Sequence, residues 1–239
     1  MGRAYEVRKA AMAKTAAAKT KIYSRFGKEI YLAAKNGIPD PEMNQTLKRI
    51  IEKAKTQQVP TDVINRAIEK AKGNEQTNYE AVRYEGFGPE AATIIVDCLT
   101  DNVNRTVSEV RNCFTKTGGK LGVLGSVSFA YDELGVLSFE GFEEDKVMEL
   151  LLDNEVDLVD VESEEEHLTV YVAPSDLYKA KDLIDTLGVS DYQVLEIEML
   201  PQEYINFTTT ESTTSFEKLL TMLNEVEDVT TIYHNVILD

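Results

Sequence analysis

The sequence predicts an α+β fold: an N-terminal three-helix bundle followed by two α/β domains with ferredoxin-like (βαββαβ-type) elements, the third domain inserted in the second. Three observations carry the prediction. Residues 1–72 show helical apolar spacing and no strand pattern. From Val136 the apolar pattern follows the order strand, helix, strand, strand, helix, strand. Finally, a helix and a strand remain after residue 200, and a helix and a strand are missing from 79–134. The resulting domains are 1–78, basic and helical; 79–134 plus 201–239, α/β; and 135–200, acidic and ferredoxin-like.

In the first domain, Thr20–Asn36 places Ile22, Phe26, Ile30 and Ala33 on one helical face, with Gly37 as a stop. Asp40-Pro41-Glu42 supplies an N-cap, a Pro at the first helical position and an acid in the first turn. The stripe of that second helix is Met43, Leu47, Ile50, Ile51 and Ala54. Pro60 opens a third helix carrying Val63, Ile64, Ala67, Ile68 and Ala71 to Gly73. The Ala-rich stretch 4–19 has high helix propensity and few apolar anchors, which leaves a helical extension and a mobile arm both open.

Gly73–Asn78 reads as a polar linker. Beyond it, Ala92–Leu99 is a strand of buried type, and Thr106-Val107-Ser108-Glu109 reads as a capping box opening a helix to Thr117. Ser126–Tyr131 alternates as a strand. The third domain reads as strand 136–140, helix 143–153, strands 156–161 and 167–173, helix 175–187 and strand 191–199. Thr214-Ser215-Phe216-Glu217 caps a helix to Glu225, and Thr230–Leu238 closes the chain as a strand.

With 239 residues, 43% hydrophobic and 28% charged, the chain has the composition of a water-soluble globular protein. No apolar run approaches the ~20 residues of a membrane span, and the N-terminus lacks the apolar core of a signal peptide. Its basic start imitates a mitochondrial presequence, but the cytoplasm is the expected location. Cys98 and Cys113 stand apart in apolar stretches, which suits small buried side chains in a reducing compartment.

The charge is unevenly spread. Residues 1–72 hold 16 Lys+Arg against 7 Asp+Glu, whereas residues 73–239 hold 9 against 35. Such a split points to a polyanion partner for the basic part, met from one side. Lys21, Arg25, Lys28 and Lys35 fall within roughly 80° on a helix, away from the apolar face. Lys14 extends the stripe, Arg3, Lys9 and Lys19 add charge before it, and Lys48, Arg49, Lys53 and Lys55 follow on the second helix. Between residues 7 and 39 the one acid is Glu29. These cations are the candidate nucleic-acid contacts, made to phosphates and largely blind to sequence. Their competitor is an ordinary solvated helix face.

Asp101-Asn102-Val103-Asn104-Arg105-Thr106 leads from strand into helix, so Asn102, Asn104 and Arg105 form a candidate anion-binding loop, with capping and turn geometry as the plainer reading. The glycines at 118, 119, 122 and 125 match neither phosphate-loop pattern, and Gly118-Gly119 more simply ends a helix. His167 after three glutamates reads as a solvated turn rather than a metal site. No nucleophile–base arrangement is visible, so the expectation is a non-enzyme with no cofactor, no metal and no small-molecule substrate.

Tyr84-Glu85-Gly86-Phe87-Gly88-Pro89 is followed by Leu99-Thr100-Asp101-Asn102-Val103-Asn104-Arg105-Thr106 and Glu109-Val110-Arg111. Gly118-Gly119-Lys120-Leu121-Gly122 and Gly125-Ser126-Val127-Ser128-Phe129 come next. In this order and spacing the series resembles the YebC family over nearly the whole chain, less strongly after about residue 140. Lys21–Phe26 and Val59-Pro60 fit as well. Gly2-Arg3-Ala4-Tyr5 stands where the commoner branch has Gly-His-Ser-Lys-Trp, so the chain looks like the shorter YeeN-type branch, and contacts of that His-Trp segment do not carry over. The resemblance implies a three-domain, non-enzymatic protein. The family is usually described as DNA-binding transcriptional regulators, with some members implicated in translation at the ribosome.

Three functions are therefore expected in turn. The first is a transcriptional regulator binding duplex DNA through the basic domain. The second is a ribosomal-RNA-contacting translation factor acting on stalled ribosomes. The third is a protein-only adaptor. A protein partner is also expected for the acidic domains.

Overall fold

The computed structural model describes residues 16–73, 78–164 and 167–238. It opens with helices α1 (Ala16–Lys35), α2 (Gln45–Thr56) and α3 (Thr61–Lys72). The chain continues as β1 (Glu80–Phe87), β2 (Thr93–Thr100), α4 (Val103–Lys116), β3 (Lys120–Leu121), β4 (Tyr131–Glu140) and α5 (Glu144–Asp153). It ends with β5 (Leu158–Glu164), β6 (His167–Val172), α6 (Leu177–Asp185), β7 (Val194–Pro201), α7 (Thr210–Glu225) and β8 (Val229–His234).

The three N-terminal helices meet through Phe26, Ile30 and Ala34 of α1, Leu47, Ile51 and Ala54 of α2, and Ile64, Ala67 and Ile68 of α3. Their spacing of three, four or seven turns one apolar stripe of each helix inward. The entry to α2 differs from expectation. Asn44 is the N-cap, its Oδ1 accepting from Leu47 N at 3.0 Å, while Asp40 closes a turn by accepting from Glu42 N. Asn44 wins because its amide also donates to Ala33 O and Ile38 O, which a carboxylate cannot do. Met43, expected in the stripe, falls outside the helix and is exposed.

The first sheet has the order β3-β1-β2-β8, antiparallel throughout. The chain's last strand thus returns to pair with β2 after the whole of β4–β7, as the surplus C-terminal elements predict. Ile94, Ile95 and Val96 of β2 are fully buried, and Val110 and Phe114 of α4 and Phe216, Leu219 and Leu223 of α7 add to the core. Arg83 faces Asp97 across β1 and β2 in a two-pronged ion pair of 2.7 and 2.9 Å.

Sequence patterning missed β1, for a physical reason. Glu85 and Gly86 occupy its two buried positions, where an alternating strand would place large apolar residues. Gly86 is needed there because a Cβ would come within 2.5 Å of the Phe114 ring. The start of α4 is also corrected: Asn102 caps it through Arg105 N at 3.1 Å, and Thr106 lies inside the first turn. The strand expected at 126–131 is absent. Val127 N is drawn to the Glu85 carboxylate instead of a strand partner, and Ser128–Ala130 is a 3-10 turn leading into β4, which runs unbroken from Tyr131.

The bundle and this sheet belong to one compact unit, and Ser128–Asn206 belongs to another. In the second unit the sheet order β5-β6-β4-β7, with both helices connecting as βαβ crossovers, is that of the ferredoxin-like fold. Leu137, Phe139, Val170 and Val172 pack there against Val147 and Leu151 of α5 and Ala180 and Ile184 of α6. Together the two sheets and the bundle bear out the expected α+β class.

Candidate nucleic-acid interface

The expected cationic ridge on α1 is largely consumed inside the molecule. Lys28 is buried, and its Nζ donates to Asp228 Oδ1 at 2.9 Å, Leu99 O at 3.3 Å and Glu227 O at 3.4 Å. Lys21 Nζ donates to Asn224 O at 3.0 Å, and burial pushes its pKa down to about 8. Arg25 pairs with Glu29 at 2.8 Å and lies over the Phe26 ring. Lys35 donates to Tyr31 Oη at 3.0 Å. The reason is architectural: α1 presents its apolar stripe to α2 and α3, and its Lys21 and Lys28 reach the end of β2 and the α7–β8 turn. Lys28, buried and committed to Asp228, is not an open phosphate contact, which corrects the expectation for that residue.

In the candidate anion loop Arg105 stays exposed but is engaged internally. Arg105 Nη2 donates to Asp228 Oδ2 at 2.6 Å and to Asp101 Oδ1 at 2.9 Å, and these bonds raise its already high pKa further. Asn102 spends its side chain on the cap, and Asn104 lies exposed in the first turn. At the centre stands Asp228, with a side chain 2% exposed, also accepting from Thr100 and Thr106 hydroxyls. Burial works against its charge, but hydrogen bonds from Arg105, Lys28 and Thr106 outweigh it and hold its pKa at about 2. The plainer reading of the loop, as capping and turn geometry, describes what the side chains do, with an ion cluster added.

The remaining candidates divide. Arg3, Lys9 and Lys14 lie outside the described residues. Lys19 on α1 and Lys48 on α2 are exposed, Lys48 lying 4.0 Å from Glu42, and Arg49 and Lys53 are half-exposed. Beyond them, Lys55 on α2 and Arg66, Lys70 and Lys72 on α3 are exposed. Arg66 and Lys70, one turn apart, border a cleft of about 310 Å3 between α1, α3 and the start of β1. Tyr23, Tyr31 and Tyr79 line it, with Tyr31 and Tyr79 edge to face at 5.7 Å and Lys70 Nζ 5.4 Å from the Tyr31 ring. Tyr31 is buried in the bundle core, so ring surface for an unstacked base comes from the half-buried Tyr23 and Tyr79, with Glu227 on the same cleft.

Sequence reasoning passed over Arg66, Lys70 and the three tyrosines. The i,i+4 spacing of the two cations was a usable signal. No local pattern links Tyr79, beyond the linker, to Tyr23 and Tyr31.

Residues 3–74 match the family described as the TACO1/YebC protein N-terminal domain, and residues 79–236 match the TACO1/YebC second and third domain. The chain belongs to the TACO1/YebC family. Its relatives include proteins named "probable transcriptional regulatory protein" in Acholeplasma laidlawii and Alteromonas mediterranea. The first is 50% identical over 237 residues, covering 99% of this chain and 98% of the relative. The second is 49% identical over 239 residues, covering 99% of each. A crystal structure of a conserved hypothetical protein from Aquifex aeolicus is 34% identical, with a TM-score of 0.77 over 94% of this chain and 92% of that one.

Cys98 and Cys113 are buried, and burial pushes the Cys98 thiol up to about 12. His234 is half-buried beside Phe216, and desolvation lowers its pKa to about 4. His167 stands across from Glu140 at the start of β6, 3.6 Å from its carboxylate. No helix among the described residues is long and apolar enough to cross a membrane.

Proposed function

We propose that this TACO1/YebC protein is a non-enzymatic nucleic-acid-binding regulator of transcription, acting in the cytoplasm. Its phosphate contacts come from the outer face of the bundle rather than from the α1 ridge. The observation that carries the reading is the set of exposed cations Lys48, Lys55, Arg66, Lys70 and Lys72 in a chain whose residues 73–239 hold 9 Lys+Arg against 35 Asp+Glu. Arg3, Lys9, Lys14 and Lys19 extend the same charge toward the N-terminus. The names of the relatives in Acholeplasma and Alteromonas support regulation as the role.

A second reading, contact with ribosomal RNA by a translation factor on stalled ribosomes, draws its support from the tyrosine-lined cleft. Unpaired bases, which stack on aromatic rings, are more frequent in RNA loops than in duplex DNA. Crosslinking in cells followed by sequencing of the recovered nucleic acid separates the readings. Promoter DNA supports the first, and ribosomal RNA without DNA enrichment replaces it with the second. Recovery of protein alone leaves an adaptor and removes both.

A further inference from the structure

The loop between β3 and Val127 carries an exposed apolar tip on a hydrogen-bonded anchor. Glu85 in β1 is 1% exposed, yet its carboxylate receives the N–H groups of Gly125 at 2.8 Å and Val127 at 2.7 Å. The carbonyl of the same residue accepts from Gly122 N at 2.8 Å. Gly125 has φ +85°, a left-handed conformation that lets the chain turn back here. One buried residue thus pins both flanks of a loop whose tip, Val123 and Leu124, is 76% and 75% exposed. Burying a carboxylate is expensive unless it is fully bonded, and here the bonds define the shape of the loop.

The surroundings indicate what the tip meets. Residues 110–131 contain no Asp or Glu in a chain with 42 of them, and they hold Arg111, Lys116 and Lys120, all exposed. An apolar tip set in a cationic, acid-free stretch complements a polyanion with apolar faces. Even with Phe129, five residues on and 77% exposed, these side chains are far too little surface for a stable protein interface of ~1,200 Å2 or more. They are enough for a wedge inserted between stacked bases, which needs one or two apolar residues and a backbone held against recoil. We infer that Val123 and Leu124 insert into a base step of bound nucleic acid while Lys120 and Lys116 hold the flanking phosphates. This rests on the nucleic-acid reading above and adds a second contact, on the sheet rather than on the bundle.

The test uses the full chain with two probes, a duplex DNA and an RNA hairpin, each carrying 2-aminopurine at a flexible pyrimidine–purine step. Unstacking raises the fluorescence of the probe. The wild type is expected to bind at least one probe with a fluorescence rise. A Val123→Ser/Leu124→Ser variant, with unchanged melting temperature, is expected to lose the rise and bind about tenfold more weakly. Its log–log salt slope should be unchanged, because apolar contacts release no counterions. Lys120→Gln should keep the rise and reduce the slope by about 1. A wild type that binds while the double Ser variant matches it overturns the wedge and leaves the function standing. A wild type that binds neither probe overturns both. Replacing Leu124 by a photo-crosslinking amino acid gives an independent check: crosslinks in cells to protein and none to nucleic acid also overturn the wedge.

Discussion

Two buried carboxylates organise the first compact unit, and they do so differently. Asp228 sits among Lys28, Arg105, Thr100 and Thr106, so its charge is met by cations that the sequence suggested were meant for phosphate. Glu85 receives backbone N–H groups of a loop. The first is a joint, tying α1 of the bundle to β2 and to the turn before β8. The second is a clamp that shapes a surface feature without spending a cation. A buried acid can thus withdraw positive charge from the surface or fix the geometry of what the surface displays.

The comparison is broken most directly at the joint. Asp228→Asn leaves Lys28 buried without its counter-charge and should lower unfolding free energy by about 3–5 kcal/mol, measured by denaturant titration. A loss below 1 kcal/mol would mean that the joint is not needed. Glu85→Ala removes the acceptor of the buried Val127 N–H and the part-buried Gly125 N–H and should cost about 1–3 kcal/mol. Here hydrogen exchange distinguishes clamp from joint: exchange should accelerate at Gly125 and Val127 while α1 stays protected.

A gentler probe is pH. Asp228 has its folded-state pKa lowered to about 2, so its contribution is present in full above its ordinary carboxylate pKa. That contribution, about 2 kcal/mol, is lost as pH falls from about 4 toward 2. The Asp228→Asn variant should show a flatter acid limb over the same window, and an identical limb would contradict the assignment. The smallest effect on stability is expected outside both sites. Arg66→Gln/Lys70→Gln should change unfolding free energy by under about 0.5 kcal/mol. The same pair should reduce the log–log salt slope for nucleic-acid binding by about 2. An unchanged slope removes α3 from the interface.

Much of the architecture was legible because it is local. Helical spacing of Phe26, Ile30, Leu47, Ile51, Ile64 and Ile68 needs only neighbours along the chain, and the core of the bundle follows it. The βαββαβ order and the surplus C-terminal helix and strand were likewise readable from periodicity. β1 was not, because its buried positions hold Glu85 and Gly86, chosen for a loop and for a ring that approach from elsewhere in the chain. The N-cap of α2 went to Asn44 because only an amide can also donate to Ala33 and Ile38.

By itself the sequence determined the fold class, the returning C-terminal segment, the family and the concentration of positive charge in the first 72 residues. Each depends on composition or on spacing over a few turns. Tertiary structure alone decided which cations remain for a partner. The partner of Lys28 lies 200 residues along the chain, and pairing across that distance is set by how elements pack, which no local pattern encodes. The exposed Arg66 and Lys70 and the clamped tip at Val123 and Leu124 became candidates for the same reason: burial is a property of the assembled molecule.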